Sequence, residues 1–299
     1  MDLRHLRYFL CVSEEMHFGR AAQRLGISQP PLSQQIRALE EELGVRLFER
    51  TSRRVTLTEV GRMFAPEARA TLERAEHAIR TARLAQQGAI GRLAVGFTSS
   101  GPFVPRVART LYDFRQAYPQ VELTLRELGR DDQIEEVARR RLDIGIIRSF
   151  DRPNLPDGLA AMMLEEEDMR LAVRQDHPFA AQANDPAIID LQGEPMVFYS
   201  AANGAGFNEH FFALCREAGF KPHVVQEAGS LATLLGLVAA GFGATILAHS
   251  LTRLHVDNLV YRPLAAPVTS RLWLIHRDGL SPTSQAFRDI ILTGCDAPS

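Results

Sequence analysis

The stretch FGRAAQRLGISQPPLSQQIRALEEEL, residues 18–43, decides how the first part of this chain folds. Phe18 to Leu25 has the spacing of a short amphipathic helix, and its small pair Ala21-Ala22 lets a neighbouring element approach closely. Gly26 ends that helix. Ser28 then reads as an N-cap, with Pro30 and Pro31 in a first turn, where a missing N–H costs nothing. A helix therefore begins at Gln29. Its apolar residues Leu32, Ile36, Leu39 and Leu43 are spaced four, three and four, giving one buried stripe until Gly44 stops the helix. The opposite face carries Gln29, Ser33, Gln34 and Arg37.

Upstream, Leu3, Leu6, Phe9 or Leu10, and Ser13 follow helical spacing, so a further helix precedes this pair. Two short helices joined by a glycine-containing turn, the second exposing Gln, Ser and Arg, make a helix-turn-helix. Gln pairs bidentately with adenine and Arg with guanine, Ser accepts either role, and a helix N-terminus attracts phosphate. The alternative on composition alone is an ordinary helical hairpin with a solvated polar face. Val45–Phe48 and Arg54–Thr58 read as strands around a polar tip, Glu49–Arg53, a basic wing suited to a minor groove or the backbone. Residues 1–62 hold ten arginines against eight acids, so this segment is mildly basic in a chain of formal charge −2. Glu40-Glu41-Glu42 is expected to be a solvated helix end.

The run Phe18-Gly19-Arg20-Ala21-Ala22 through Leu25, then Ser28-Gln29-Pro30-Pro31-Leu32-Ser33, Ile36, Leu39-Glu40, Leu43-Gly44, Leu47-Phe48, Arg50, Leu57-Thr58 and Gly61, resembles the winged helix-turn-helix of LysR-type transcriptional regulators. The resemblance implies that Gln29, Pro30, Ser33, Gln34 and Arg37 meet DNA from the recognition helix, and Arg50, Arg53 and Arg54 from the wing. It implies promoter double-stranded DNA, a small organic anion, a homodimer or homotetramer and RNA polymerase as partners. No cofactor, metal or enzymatic activity is expected.

Between Thr58 and Gln87 the Ala-, Arg- and Glu-rich composition favours helix. Ala68, Leu72, Ala75, Ile79 and Ala82 repeat at four and three, the pattern of a coiled-coil seam, with a helix lying on its own domain as the alternative. The resemblance favours pairing of two subunits through Leu72, Ala75 and Ile79, with Gly88 and Gly91 as a hinge. From Leu93 the pattern alternates: strand Leu93–Phe97, helix Val104–Ala117, strand Val121–Glu127, helix Ile134–Arg140, strand Leu142–Ile147. A second set follows: strand Met196–Tyr199, a helix near Phe207–Ala218, strand Val224–Glu227, helix Leu231–Ala240 and strand Ala244–Leu247. Arg170–Arg174 and Arg271–His276 read as strands crossing between the halves, and a helix near Ser284–Leu292 returns to the first.

The expected fold is therefore α/β with an N-terminal α region: a winged helix-turn-helix domain (1–58), a long linker helix (59–88) and an effector domain (89–299). The last resembles the two-lobed periplasmic-binding-protein fold, with lobe I at 89–162 and 269–299 and lobe II at 163–268. Ligands in such sheets bind at the carboxyl ends of strands. Thr98, Ser99 and Ser100 lie at one such end, and Ser200, Asn203 and Phe207 at another. Arg148 ends a third strand as a cation for an anion. The competing roles are helix capping for the serines and an inter-lobe salt bridge for Arg148. Donors with few acids favour an anionic effector, an aromatic or dicarboxylic acid, and the sensor half is similar to the branch of the family that regulates aromatic-acid breakdown. The acidic run Glu165–Asp168 is expected as a solvated face before a strand. A two-lobed binding protein without transcriptional role is the alternative function.

The remaining composition agrees with this frame. A chain of 299 residues at about 100–200 per domain holds more than one unit, and 45% hydrophobic with 23% charged residues supports a packed core. Cys11, Cys215 and Cys295 form no CxxC pair, so neither a disulfide framework nor a thiolate metal site is expected, and a reducing cytoplasm fits best. Charges in the first seven residues exclude a signal peptide core. Ala228–Ala248 is uncharged but broken by glycines, so a membrane span is not expected. No HExxH, GxSxG or Walker pattern points to an enzyme.

Overall fold

A computed structural model describes residues 1–50, 54–200 and 206–293, and divides the chain into two compact units, Met1–Leu84 and Ala85–Ser299. In the first unit, α1 (Leu3–Glu15), α2 (Phe18–Arg24) and α3 (Gln29–Leu43) precede a hairpin of β1 (Phe48–Arg50) and β2 (Val55–Leu57), followed by α4 (Glu59–Gln86). Asp2 caps α1 by accepting from the Arg4 and His5 N–H groups, and His17 caps α2 through Nδ1, which accepts from Gly19 and Arg20. Gly44 closes α3 in the left-handed conformation. The core forms where Leu32, Ile36 and Leu39 of α3 meet Leu6, Phe9 and Val12 of α1. Phe9 lies 5.4 Å from Phe48 and 5.0 Å from Phe64, ring centre to ring centre, which draws hairpin and α4 onto the helices.

Three expectations in this unit are corrected. The first wing strand begins at Phe48, not Val45, because Glu40 holds the turn before it: its Oε1 accepts from the N–H groups of Leu47 (2.8 Å) and Phe48 (3.0 Å). Glu40 is thus a half-buried structural acceptor and not a solvated helix end. Ala68, placed in the α4 seam by its spacing, is buried in the core of its own unit, and Leu72 packs against that core. Ala75 is half-buried in this chain and Ile79 is exposed. Gly61 is required where α4 starts, since a Cβ there would stand 2.2 Å from the Leu47 carbonyl oxygen.

The second unit contains β3 (Ile90–Phe97), α5 (Pro105–Ala117), β4 (Gln120–Glu127), α6 (Arg130–Ala138), β5 (Ile144–Ser149) and the long β6 (Leu159–Arg174). Then come α7 (Pro178–Ala181), β7 (Pro195–Tyr199), α8 (Phe207–Glu217), β8 (His223–Ala228), α9 (Leu231–Ala239), β9 (Thr245–Ala248), β10 (Leu259–Arg262), β11 (Thr269–Arg277) and α10 (Pro282–Thr293). Among the described residues the strands run in the order β4-β3-β5-β11-β6-β10, with β9 also on β6. β3 is parallel to β4 and β5, whereas β11 is antiparallel to β5 and β6. β7 and β8 pair in parallel and join the second lobe through the Met196–Ala244 bridge.

β6 makes the lobes two. Leu159–Asp168 pair with β11 in lobe I, while Met169–Arg174 pair with β9 and β10 in lobe II. Arg271–His276, expected to cross, stays in lobe I, because β5 and β6 hydrogen-bond it on both sides and Leu272, Leu274 and Ile275 are fully buried. Residues 263–268 make the return, with the Val268 carbonyl accepting from Met169 N–H at 2.7 Å. The acidic run lies within β6, where strand alternation turns Glu165 and Glu167 inward and leaves Glu166 and Asp168 exposed. Ala228–Ala248 resolves into α9 and β9, and among the described residues no helix is long and apolar enough to cross a membrane.

Replacing Glu40 by Ala would strand the Leu47 and Phe48 N–H groups in a dry turn, a loss of about 1–3 kcal/mol. Hydrogen exchange should show both amides losing protection, with Glu40→Gln, which keeps an acceptor oxygen, intermediate.

Candidate functional site

The first candidate surface is the outer face of α3. Gln29, Pro30, Gln34 and Arg37 are exposed and Ser33 is half-buried, so the stripe opposite Leu32, Ile36 and Leu39 stands free as the spacing requires. Ser28 has the extended backbone of an N-cap, but its side chain makes no capping hydrogen bond. The reason lies in the sequence. An N-cap oxygen accepts from the second or third helical N–H, and here both are prolines. The same prolines leave only the Ser28 and Gln29 N–H groups of the four orphan donors, which weakens the expected attraction of phosphate to this helix end. Side chains must therefore supply most of the contacts.

Arg50 does not project freely from the hairpin. Its Nη2 donates to Glu40 Oε2 at 2.8 Å, and its guanidinium carbon lies 4.7 Å from the centre of the Phe18 ring. That geometry makes Arg50 a brace between hairpin, α2 and α3. Arg54 is exposed, and Arg53 lies outside the described residues. Arg24, on the helix before the turn, is engaged by Glu14 at 2.9 Å and Glu15 at 3.3 Å of α1.

The second candidate is a cavity of about 80 Å³ between the lobes of the second unit. Lobe I contributes Thr98, Ser99 and Ser100 after β3, Arg130 at the start of α6, and Arg148 and Phe150 at the end of β5. Lobe II contributes Met169, Tyr199, Phe207, the Ile246–Ala248 edge of β9 and Leu251. The expected residues Thr98, Ser99, Ser100, Arg148 and Phe207 are thus brought together. Ser200 lies one residue beyond the lining, its N–H donating to the Ala228 carbonyl, and Asn203 falls outside the described residues. Arg130 and Phe150 were absent from the sequence reading. α6 begins at Arg130, four residues before the expected helix, and Gly129 followed by Asp131-Asp132 is the start signal that would have revealed it.

The polar side of the cavity is densely bonded. Ser100 Oγ accepts from Arg148 Nε at 3.3 Å and lies 3.4 Å from Thr98 Oγ1. Ser99 shares a hydrogen bond with Tyr199, whose phenol is pushed up to about 12 by burial and so stays a neutral donor at physiological pH. Phe150, although it follows a lobe I strand, packs into the lobe II core, with its ring stacked on His210 at 3.8 Å. Burial holds the His210 imidazole below its ordinary range, favouring the neutral ring against Phe150.

The expectation of few acids at this site is corrected. Arg148 Nη2 donates to Glu167 Oε2 at 2.5 Å, and Nη1 donates to Ser270 Oγ at 2.9 Å. Glu167 Oε1 accepts from Ser250 N–H of lobe II at 2.7 Å, and Oε2 from Ser250 Oγ at 3.2 Å. Arg148 and Glu167 are each only 11% exposed in their side chains, so the bridge is nearly dry. The salt bridge that competes for Arg148 is present, but it lies within lobe I, and the link to lobe II runs from Glu167 to Ser250. Nearby, burial raises the pKa of Glu165, reinforced by the Glu167 charge and opposed by Arg106 and Arg148.

Comparison with known proteins places these features. Residues 3–62 match the model of the bacterial regulatory helix-turn-helix protein, lysR family, and residues 86–296 match the LysR substrate binding domain. The uncharacterized HTH-type transcriptional regulator YnfL of Escherichia coli K12 is 40% identical over 292 residues, covering 96% of this chain and 97% of that one. The HTH-type transcriptional regulator AlsR of Bacillus subtilis 168 is 35% identical over 291 residues, covering 96% and 94%. The crystal structure of CbnR, a LysR family transcriptional regulator, superposes with a TM-score of 0.82 at 27% identity over 97% of this chain and 100% of that chain. Full-length CbnR in complex with its target DNA gives a TM-score of 0.81 at 27% identity, covering 97% and 98%.

Proposed function

The chain belongs to the LysR family of DNA-binding transcriptional regulators, and from that premise we propose that α3 reads a promoter site whose occupancy is modulated by a small organic anion held between the lobes. The observation that carries the DNA half is the free face of α3: Gln29, Ser33, Gln34 and Arg37 stand opposite a stripe buried to 0% exposure. These side chains offer bidentate partners for adenine and guanine edges. Arg53 and Arg54 of the wing meet the backbone beside them, and RNA polymerase acts on the same promoter. Gln34→Ala or Arg37→Ala should cost about 1–3 kcal/mol at the cognate base pair and relax preference there. Selection from random DNA, repeated with each variant, reads this directly, and a wild-type protein that enriched no sequence would refute it.

The protein pairs through α4, two copies meeting along Leu72, Ala75 and Ile79, and pairs of dimers form the homotetramer. Ile79 supports this reading, since it is 48% exposed among Glu76, His77, Arg80 and Arg83 in the second half of α4. Ile79→Asp would put a charge into the apolar seam while touching nothing in its own core. Light scattering should then give a smaller particle with unchanged helical content, and an unchanged mass would remove Ile79 from the interface.

For the effector, the supporting observation is the join of three hydroxyls and the Arg130 guanidinium with an apolar wall of Phe150, Met169, Phe207 and Ile246. Such a wall suits the body of an organic acid, aromatic acids included, and the polar end suits its carboxylate. The cavity is small enough that larger acids enter only as the lobes part, so binding and lobe position are linked. Arg130→Met should weaken benzoate binding by about tenfold or more, the scale of one lost charge-assisted hydrogen bond. Calorimetry with benzoate and with benzylamine tests it: preference for the amine would reject an anion site.

A further inference from the structure

From the charges around the cavity we infer that the cleft selects monoanions over dianions, and that Glu167 sets this selectivity by consuming the charge of Arg148. This rests on the proposal that the cleft holds an anion, and narrows it. Among the described residues that line the cavity, Arg130 and Arg148 are the charged ones. Arg148 already has a carboxylate at 2.5 Å. That carboxylate is not loose: Ser250 donates to it through both N–H and Oγ, and the strand that bears it is hydrogen-bonded to β11 at Glu167–Ser270. An incoming carboxylate that sought Arg148 would have to displace an internal one held by three hydrogen-bonding groups. Arg130 is differently placed. Its ionic partner Asp131, at 2.8 Å, is 63% exposed and therefore well screened, which leaves the Arg130 charge largely available to a ligand.

The rest of the lining determines what a second negative charge would meet. Thr98, Ser99 and Tyr199 are neutral hydroxyls, sufficient to orient a carboxylate but carrying no charge to balance another. The remaining wall is apolar, and beyond Arg148 lies the negative Glu167. A monoanion matches its charge to Arg130 and buries its body against Phe207 and Ile246. A dianion of the same length leaves its second carboxylate against hydrocarbon or facing Glu167, and such like-charge juxtaposition discriminates strongly at a desolvated site. The cleft thus rejects dicarboxylic acids by an internal carboxylate that occupies the place of the second one.

The test uses the full-length protein and two matched pairs of acids, butyrate with succinate and benzoate with phthalate, titrated by calorimetry at a pH where every carboxyl is ionised. Wild type should bind the monoanion of a pair more tightly by at least about tenfold. Glu167→Gln removes the internal carboxylate and frees Arg148, so the ratio should fall at least about tenfold or invert. Because freeing a buried guanidinium can loosen the fold, the double variant Arg148→Met with Glu167→Gln accompanies it; with Arg130 again the one cation that a ligand can reach in the lining, the monoanion preference should return. Fluorescence of Trp273, the sole tryptophan, verifies that each variant is folded. Equal affinity for mono- and dianions in wild type, or a ratio unmoved by Glu167→Gln, overturns the selectivity while leaving the anion site standing. Absence of binding by all four acids to all three proteins overturns both.

Discussion

The salt bridge between Arg148 and Glu167 joins three parts of the sensing unit at one point. Arg148 ends β5 of lobe I, Glu167 lies on the strand that passes between lobes, and Ser250, which donates twice to Glu167, belongs to lobe II. Two charges taken from water to 11% exposure carry a desolvation cost that only good geometry and further hydrogen bonds offset. Here both conditions are met, since Ser100 and Ser270 satisfy the guanidinium and Ser250 the carboxylate. Any movement of one lobe against the other must strain or break this set. The arrangement of the cleft and the position of the Ser100 hydroxyl refer back to it.

Around that point the two lobes also share apolar contacts. Phe150 reaches from the end of a lobe I strand into the lobe II core, and Ser99 meets Tyr199 across the cavity. A ligand that fits between them acts on contacts that already exist, so its effect on lobe position is its difference in affinity for the closed and open arrangements. In the N-terminal unit a comparable economy holds on a smaller scale. Glu40 fixes the start of the hairpin through two backbone N–H groups and the position of Arg50 through its second oxygen. The free face of α3 can then be polar throughout, because its stability comes from the opposite side.

Periodicity and turn chemistry were enough for the helices of the first unit and for much of the alternation of strands and helices in the sensor, since these are local properties of spacing, glycine and proline, whereas the reading of the helix pair as a helix-turn-helix drew on the family resemblance. Ser28, Pro30 and Pro31 mark the start of α3, and of the four residues its spacing selects Leu32, Ile36 and Leu39 are fully buried and Leu43 half-buried. The serines after β3 were likewise legible, because a strand end followed by small hydroxyl residues has a recognisable function in α/β sheets. Charge partners were not legible. Glu167 is 19 residues from Arg148 and Ser250 is 83 from Glu167, and no spacing rule connects them. Strand β6 brings them together through its period of two and its register on β11, neither of which can be read from the acidic run itself. In the same way Glu40 and Ala68 read as surface and seam until packing gave each a partner within its own unit. The sequence by itself determined most of the helices and the alternating strands, and which of their faces are apolar, because those depend on near neighbours, while the first part of β6 and all of β10 carried no such signal. Only the tertiary structure decided which charges remain unmatched at the cleft, because that depends on residues far apart in the chain meeting in a dry place.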